Sequence, residues 1–170
     1  MDFISDIDDI MKDIEYGWVD ESGRRYTEFD EFSQKYRLQS PDQLRKSKLG
    51  VCWDQVELER ELFNKKNLSF ETYFIVYYDD DKCPTHTFLI FHKDDKAYWY
   101  EHSWMLMRGL YQYDNSEAAL KDIRVKFIDN ELDSQYNPKN LCIYEYVAPN
   151  KNFSCSEFYK HCESGKRIFI

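Results

Sequence analysis

Apolar residues recur at intervals of three and four along residues 2–15, where Phe3, Ile4, Ile7, Ile10, Met11 and Ile14 are separated by acids. That periodicity predicts an amphipathic helix docking its stripe on a core. The pattern turns β-rich in "YGWVDESGRRY" (16–26), with "DESG" as a turn or hairpin tip. "TEFDEFSQKY" (27–36) opens on Thr-x-x-Asp, akin to a capping box, and predicts a helix. "SPDQLRKSK" (40–48) offers Ser40 as N-cap and Pro41 at the first helical position. A further helix is expected from about Cys52 to Lys66.

The period then shortens. "ETYFIVYY" (71–78), "THTFLIFH" (85–92) and "AYWYE" (97–101) are rich in aromatic and β-branched residues and predict strands, the last two joined by the polar turn "KDDK" (93–96). A helix is predicted over 116–132, opening with Ser116, then a strand over 141–148 and a short helix over 154–164. Helices first and an antiparallel meander after them argue for the α+β class. At 170 residues the chain fits a single domain, 1–170: a helical segment over 1–48, a core over 49–104 and a completing part over 105–170.

Composition narrows the partners. A net charge of −9 repels phosphate backbones and anionic lipids, so neither nucleic acid nor membrane is an expected partner. No basic-plus-apolar leader precedes the first helix and no apolar run approaches membrane-spanning length. The five Cys have no regular spacing, which predicts free thiols in a reducing, cytoplasmic setting.

One of those thiols stands apart. In "KSKLGVCWDQVELERELF" (46–63), Cys52 falls in the first turn of a predicted helix, where unpaired N–H groups and the helix dipole favour negative charge. Gly50 lets another chain or a substrate approach closely, and Cys52, Val56 and Phe63 share one helical face. A nucleophilic thiol needs a base. His86 begins one strand of the hairpin and Glu101 ends the next. With an even loop at 93–96, His92 pairs with Ala97, Phe88 with Glu101, and Glu101 becomes the diagonal neighbour of His86. An odd loop presents His102 or Trp104 instead. His92 shares the face of His86 but lies about 20 Å along the strand, too far to serve the same thiol.

These residues resemble a known pattern. "GVCW" (50–53) is similar to the nucleophile motif of the transglutaminase-like superfamily, and "HTFLIFHKDDKAYWYEHSW" (86–104) resembles its His-aromatic hairpin. The resemblance implies a papain-like core, with the nucleophile helix packed on an antiparallel sheet, and a triad of Cys52, His86 and Glu101. The family usually carries Asp at the third position, so Glu101 has one methylene to accommodate. The implied activity is acyl transfer on an amide or peptide bond of a protein, peptide or amide substrate through a thioester, with hydrolysis or deamidation ahead of transamidation and no cofactor. The Cys52 N–H is the first expected oxyanion donor. Gln39 and Trp18 are candidates for the second, and Trp53 and Trp104 for the cleft walls. The alternative is an acidic binding protein on the same fold with a relict triad. Cys142, Cys155, Cys162 and His161 lack the tight ligand spacing of a zinc site, "YYDDDK" (77–82) lacks the continuation of a calcium loop, and no metal is expected. Cys83, near Pro84, has no helix start to activate it.

Overall fold

The structure, a computed structural model, describes residues 1–170. Its N-terminal half is helical, with α1 (Asp2–Met11) followed by the small hairpin β1 (Trp18–Val19) and β2 (Arg25–Tyr26). Next come α2 (Phe32–Lys35), α3 (Pro41–Ser47) and the long α4 (Cys52–Lys65). Strands β3 (Phe70–Tyr77), β4 (Thr85–Lys93), β5 (Lys96–Glu101) and β6 (Gly109–Tyr113) form an antiparallel meander. After α5 (Ser116–Glu131) the chain returns to the other side of β3 as β7 (Leu141–Tyr146), continues through α6 (Cys155–Glu163) and ends with β8 (Lys166–Ile168). The six-stranded sheet has the order β6-β5-β4-β3-β7-β8, every neighbour antiparallel, and the class is α+β.

Alternation along the strands divides the core between two faces. Phe74, Val76, Leu89, Phe91 and Tyr100 face α4 and the N-terminal segment. Tyr73, Ile75, Phe88, Ile90 and Trp99 face α5 through Ala119, Leu120, Ile123 and Phe127. The stripe of α1, from Ile4 through Ile7 to Met11, packs with Leu58, Leu62 and Phe63 of α4, as its period dictates. α4 is enclosed on more than one side: ten of its fourteen residues are buried, including Asp54, Gln55, Glu57 and Glu59. No helix is long and apolar enough to cross a membrane.

The β4–β5 turn is even. Asp94 and Asp95 both take positive φ, 51° and 59°, which gives a two-residue turn matched to strand twist, and His92 pairs with Ala97. Ser40 caps α3 through a reciprocal pair with Gln43, with Pro41 following. Other expectations are corrected. The helix predicted over 27–36 is only the four residues of α2, and Thr27 caps nothing. The carbonyl of Glu28 instead accepts the Trp18 indole N–H at 2.9 Å, and Phe29 stacks on Tyr16. α5 is capped by Asn115, one residue before Ser116, its side chain accepting from the Ala118 N–H. The edge strands β6 and β8 went unpredicted; each is short and half-exposed, without the apolar alternation that marks a packed strand.

Candidate active site

Cys52 opens α4, and the turn in front of it is fixed from beneath. Val51, at the N-cap, has no side-chain acceptor, so the orphan N–H groups of the helix start need another partner. Asp54 supplies it. Its Oδ2 accepts the Val51 N–H at 3.0 Å, while Oδ1 accepts the Tyr36 hydroxyl and the Gln39 N–H, each at 2.9 Å. Burial pushes the Asp54 carboxyl up to about 7 even though all three donors pull the other way. Gly50 serves packing: a Cβ there would stand 2.6 Å from Leu44 Cδ1 and 2.9 Å from Asp54 Cβ. The close approach expected at this glycine is thus that of α3, with no room there for a substrate. Residues 48–50 are also clamped to residue 15. The Glu15 N–H donates to the Lys48 carbonyl at 2.9 Å, and the Gly50 N–H donates to the Glu15 carbonyl at 3.0 Å. That clamp brings Tyr16 beside Cys52.

His86 and Glu101 meet as the hairpin register requires. His86 Nε2 lies 2.7 Å from Glu101 Oε2, and both side chains are buried. The other carboxylate oxygen, Oε1, accepts the Ser103 hydroxyl at 3.1 Å and the Trp104 N–H at 2.8 Å. The longer acid is therefore held at both oxygens, which locks the imidazole and leaves Nδ1 as the nitrogen for the thiol. Burial pulls the His86 pKa down, but the Glu101 charge and the neighbouring Cys52 thiol outweigh it and lift the group to about 10. The indole of Trp104 meets the imidazole edge-on, with ring centres 5.2 Å apart. Two turns along α4 from Cys52, burial holds the Glu59 carboxyl well above its ordinary range, and the nearby Glu101 charge adds to the effect.

A cleft of about 350 Å³ opens on this group, lined by Tyr16, by His86, Ser103, Trp104 and Met105, and by Phe127 and Glu131 of α5. Cys52 itself is only 3% exposed. Tyr16 keeps 44% of its surface in solvent, yet its hydroxyl end is sunk beside the Cys52 thiol and backbone N–H. Burial first, and then the neighbouring thiol, raise its pKa well above that of a free phenol.

The remaining expectations divide cleanly. Trp104 lines the cleft. Trp53 does not: it is 2% exposed and stacked on Phe158 at 4.3 Å inside an aromatic cluster with Phe32 and Tyr36. The indole of Trp18 is not available as an oxyanion donor, because its only side-chain N–H is spent on Glu28. Gln39 does not line this cleft: one N–H of its amide donates to the Leu49 carbonyl at 2.7 Å and its oxygen accepts from Ser47 at 2.6 Å. His102 turns to the opposite face, as strand alternation predicts, and its Nδ1 lies 2.7 Å from Gln55 Oε1. His92, at the far end of β4, pairs with Glu71 at 2.7 Å. All five thiols are free, and burial pushes Cys155 up to about 11. Sequence reasoning missed Tyr16, Asp54 and Ser103. Asp54 alone had a local signal, an acid three residues after the N-cap. No protein-family model matches the chain, and no curated protein resembles it closely enough to count as a relative.

Proposed function

We propose that this chain is a cysteine-dependent acyl-transfer enzyme acting on amide or peptide bonds, with a papain-like core of the transglutaminase-like kind. The observation that carries the reading is the bond from His86 Nε2 to Glu101, which leaves Nδ1 to the thiol at the start of α4, with the imidazole itself lining a cleft. His86 holds the Cys52 proton as an imidazolium beside the thiolate, and the thiolate attacks the carbonyl carbon of the bound amide. As the tetrahedral intermediate collapses, the C–N bond breaks and the imidazolium passes its proton to the departing nitrogen. The thioester is then attacked by water, from which His86 removes a proton, and the Cys52 thiolate leaves. An amine in place of water gives transamidation.

The developing oxyanion is received by the Cys52 N–H at the start of α4. With the Trp18 indole committed to Glu28 and Gln39 outside the cleft lining, the second donor is the Tyr16 hydroxyl, which exchanges its resting contact with Cys52 for the substrate oxygen. The test is to incubate the protein with an activated acyl ester and follow intact mass. The expected result is a single acyl adduct on Cys52, removed by hydroxylamine, absent in Cys52→Ala and formed about 10²-fold more slowly in Tyr16→Phe. Acylation that persists in Cys52→Ala would overturn the assignment, and unchanged kinetics in Tyr16→Phe would remove the phenol from the mechanism. The burial of Cys52 under Tyr16 favours a second reading, a binding protein that keeps the triad as a relict. Absence of any adduct, with the fold intact, is its signature.

A further inference from the structure

A second cleft, of about 390 Å³, shares no lining residue with the candidate active site, and cations outnumber carboxylates in its lining. Arg25, Arg37 and Lys46 converge there with the polar side chains of Gln43, Ser47 and Asn152, and only Val19 and Leu38 are apolar. None of the three cations forms an ion pair. In a chain of net charge −9, where carboxylates outnumber basic groups, three cations without an ion-pair partner around one concavity stand against the average field. Their mutual repulsion is relieved by an anion.

The polar groups are arranged as donors. Arg25 Nη1 donates to the Ser47 carbonyl, which fixes the guanidinium and leaves its other N–H groups for a ligand. Gln43 Oε1 already accepts the Ser40 N–H at 2.8 Å, so the amide nitrogen is its unspent group. Two carboxylates also line the cleft. Asp20 is saturated by the Ser22 hydroxyl, the Arg24 N–H and the Tyr26 hydroxyl, and Glu21 is exposed. Glu157 of α6 acts on Arg37 from beyond ion-pair distance. The volume suits a small molecule and is too small for a macromolecular groove.

We propose that this cleft binds a small anion bearing phosphate groups, held by Arg25, Arg37 and Lys46. The assignment is independent of the chemistry at Cys52. It nonetheless touches that site, because Ser47 donates to Gln39, Gln39 to the Leu49 carbonyl, and Leu49 precedes Gly50 at the head of α4. An occupant would stiffen the run that positions the thiol.

Calorimetric titration of the full chain with inorganic pyrophosphate, and in parallel with inorganic phosphate, tests the proposal. At low ionic strength pyrophosphate should bind at one saturable site, more tightly than phosphate, and binding should weaken steeply with added salt. Arg37→Ala and Lys46→Ala should each weaken it about tenfold. Lys82→Ala, which removes an exposed lysine outside the cleft, should leave it unchanged. Lys46 is exposed, so its variant keeps the test valid if loss of Arg37 impairs folding. Absence of saturable heat, or an equal loss in Lys82→Ala, would overturn the proposal.

Discussion

Buried side chains at the site carry pKa values displaced from their ordinary range, each for a reason visible in its surroundings. His86 is lifted to about 10 because Glu101 and the Cys52 thiol outweigh its burial. A histidine whose folded pKa exceeds its unfolded value of about 6.5 contributes stability that is complete below that value and lost as pH rises through about 10. In the proposed mechanism the same proton is the one delivered to the leaving nitrogen. The rate of acyl-enzyme formation from an amide should therefore fall on an alkaline limb near pH 10. In Glu101→Gln that limb should move to lower pH, since the charge that raises His86 is gone. A limb that stays in place would show that Glu101 does not set the protonation of His86. The pair itself was legible in the sequence, since strand alternation and an even turn are enough to bring residues 86 and 101 together. Tyr16 was not legible, because its place depends on a two-bond clamp between residue 15 and residues 48–50 that no local pattern announces.

At the scale of elements, the start of α4 is the part that the sequence described incompletely. Periodicity placed the helix, and its head at Cys52, correctly. What holds that head is a buried carboxylate with three donors from three places in the chain, Tyr36, Gln39 and Val51, which no helical period encodes. Asp54→Ala orphans all three and should destabilise the fold by about 3 kcal/mol or more, measured by denaturant unfolding. The pH dependence has the same sign as that of His86 and falls in a more acidic window. A carboxyl raised from an unfolded value of 3.8 to about 7 binds more protons folded than unfolded, so its contribution falls as pH rises from about 4 to about 7. Asp54→Asn should flatten stability across that window, and a slope that persists unchanged would place the responsible group elsewhere. The overpredicted helix over 27–36 fails for a related reason. Aromatic contacts of Phe29 and Phe32 with Tyr16 and Trp53 took precedence over a weak capping pattern.

Across the whole molecule, the sheet is a divider whose end carries the chemistry. α4 covers one face and α5 the other, and the candidate site lies where the head of α4, the first residue pairs of β4 and the end of α5 come together. The α+β class, most of the meander and the contact between His86 and Glu101 followed from pattern and spacing. The return of β7 to the far side of β3, the edge strands and the α5 wall of the cleft follow from long-range packing of residues 105–170, where the sequence offered elements but no order. The central claim is that this architecture activates one thiol of five. Its most direct test is the rate at which each cysteine of the folded chain is alkylated by iodoacetamide near neutral pH, followed peptide by peptide by mass spectrometry. Cys52 should react fastest, ahead even of the exposed Cys83, and should lose that advantage in His86→Ala. Alkylation of Cys52 no faster than that of the other four thiols, or unchanged by loss of His86, would contradict the account.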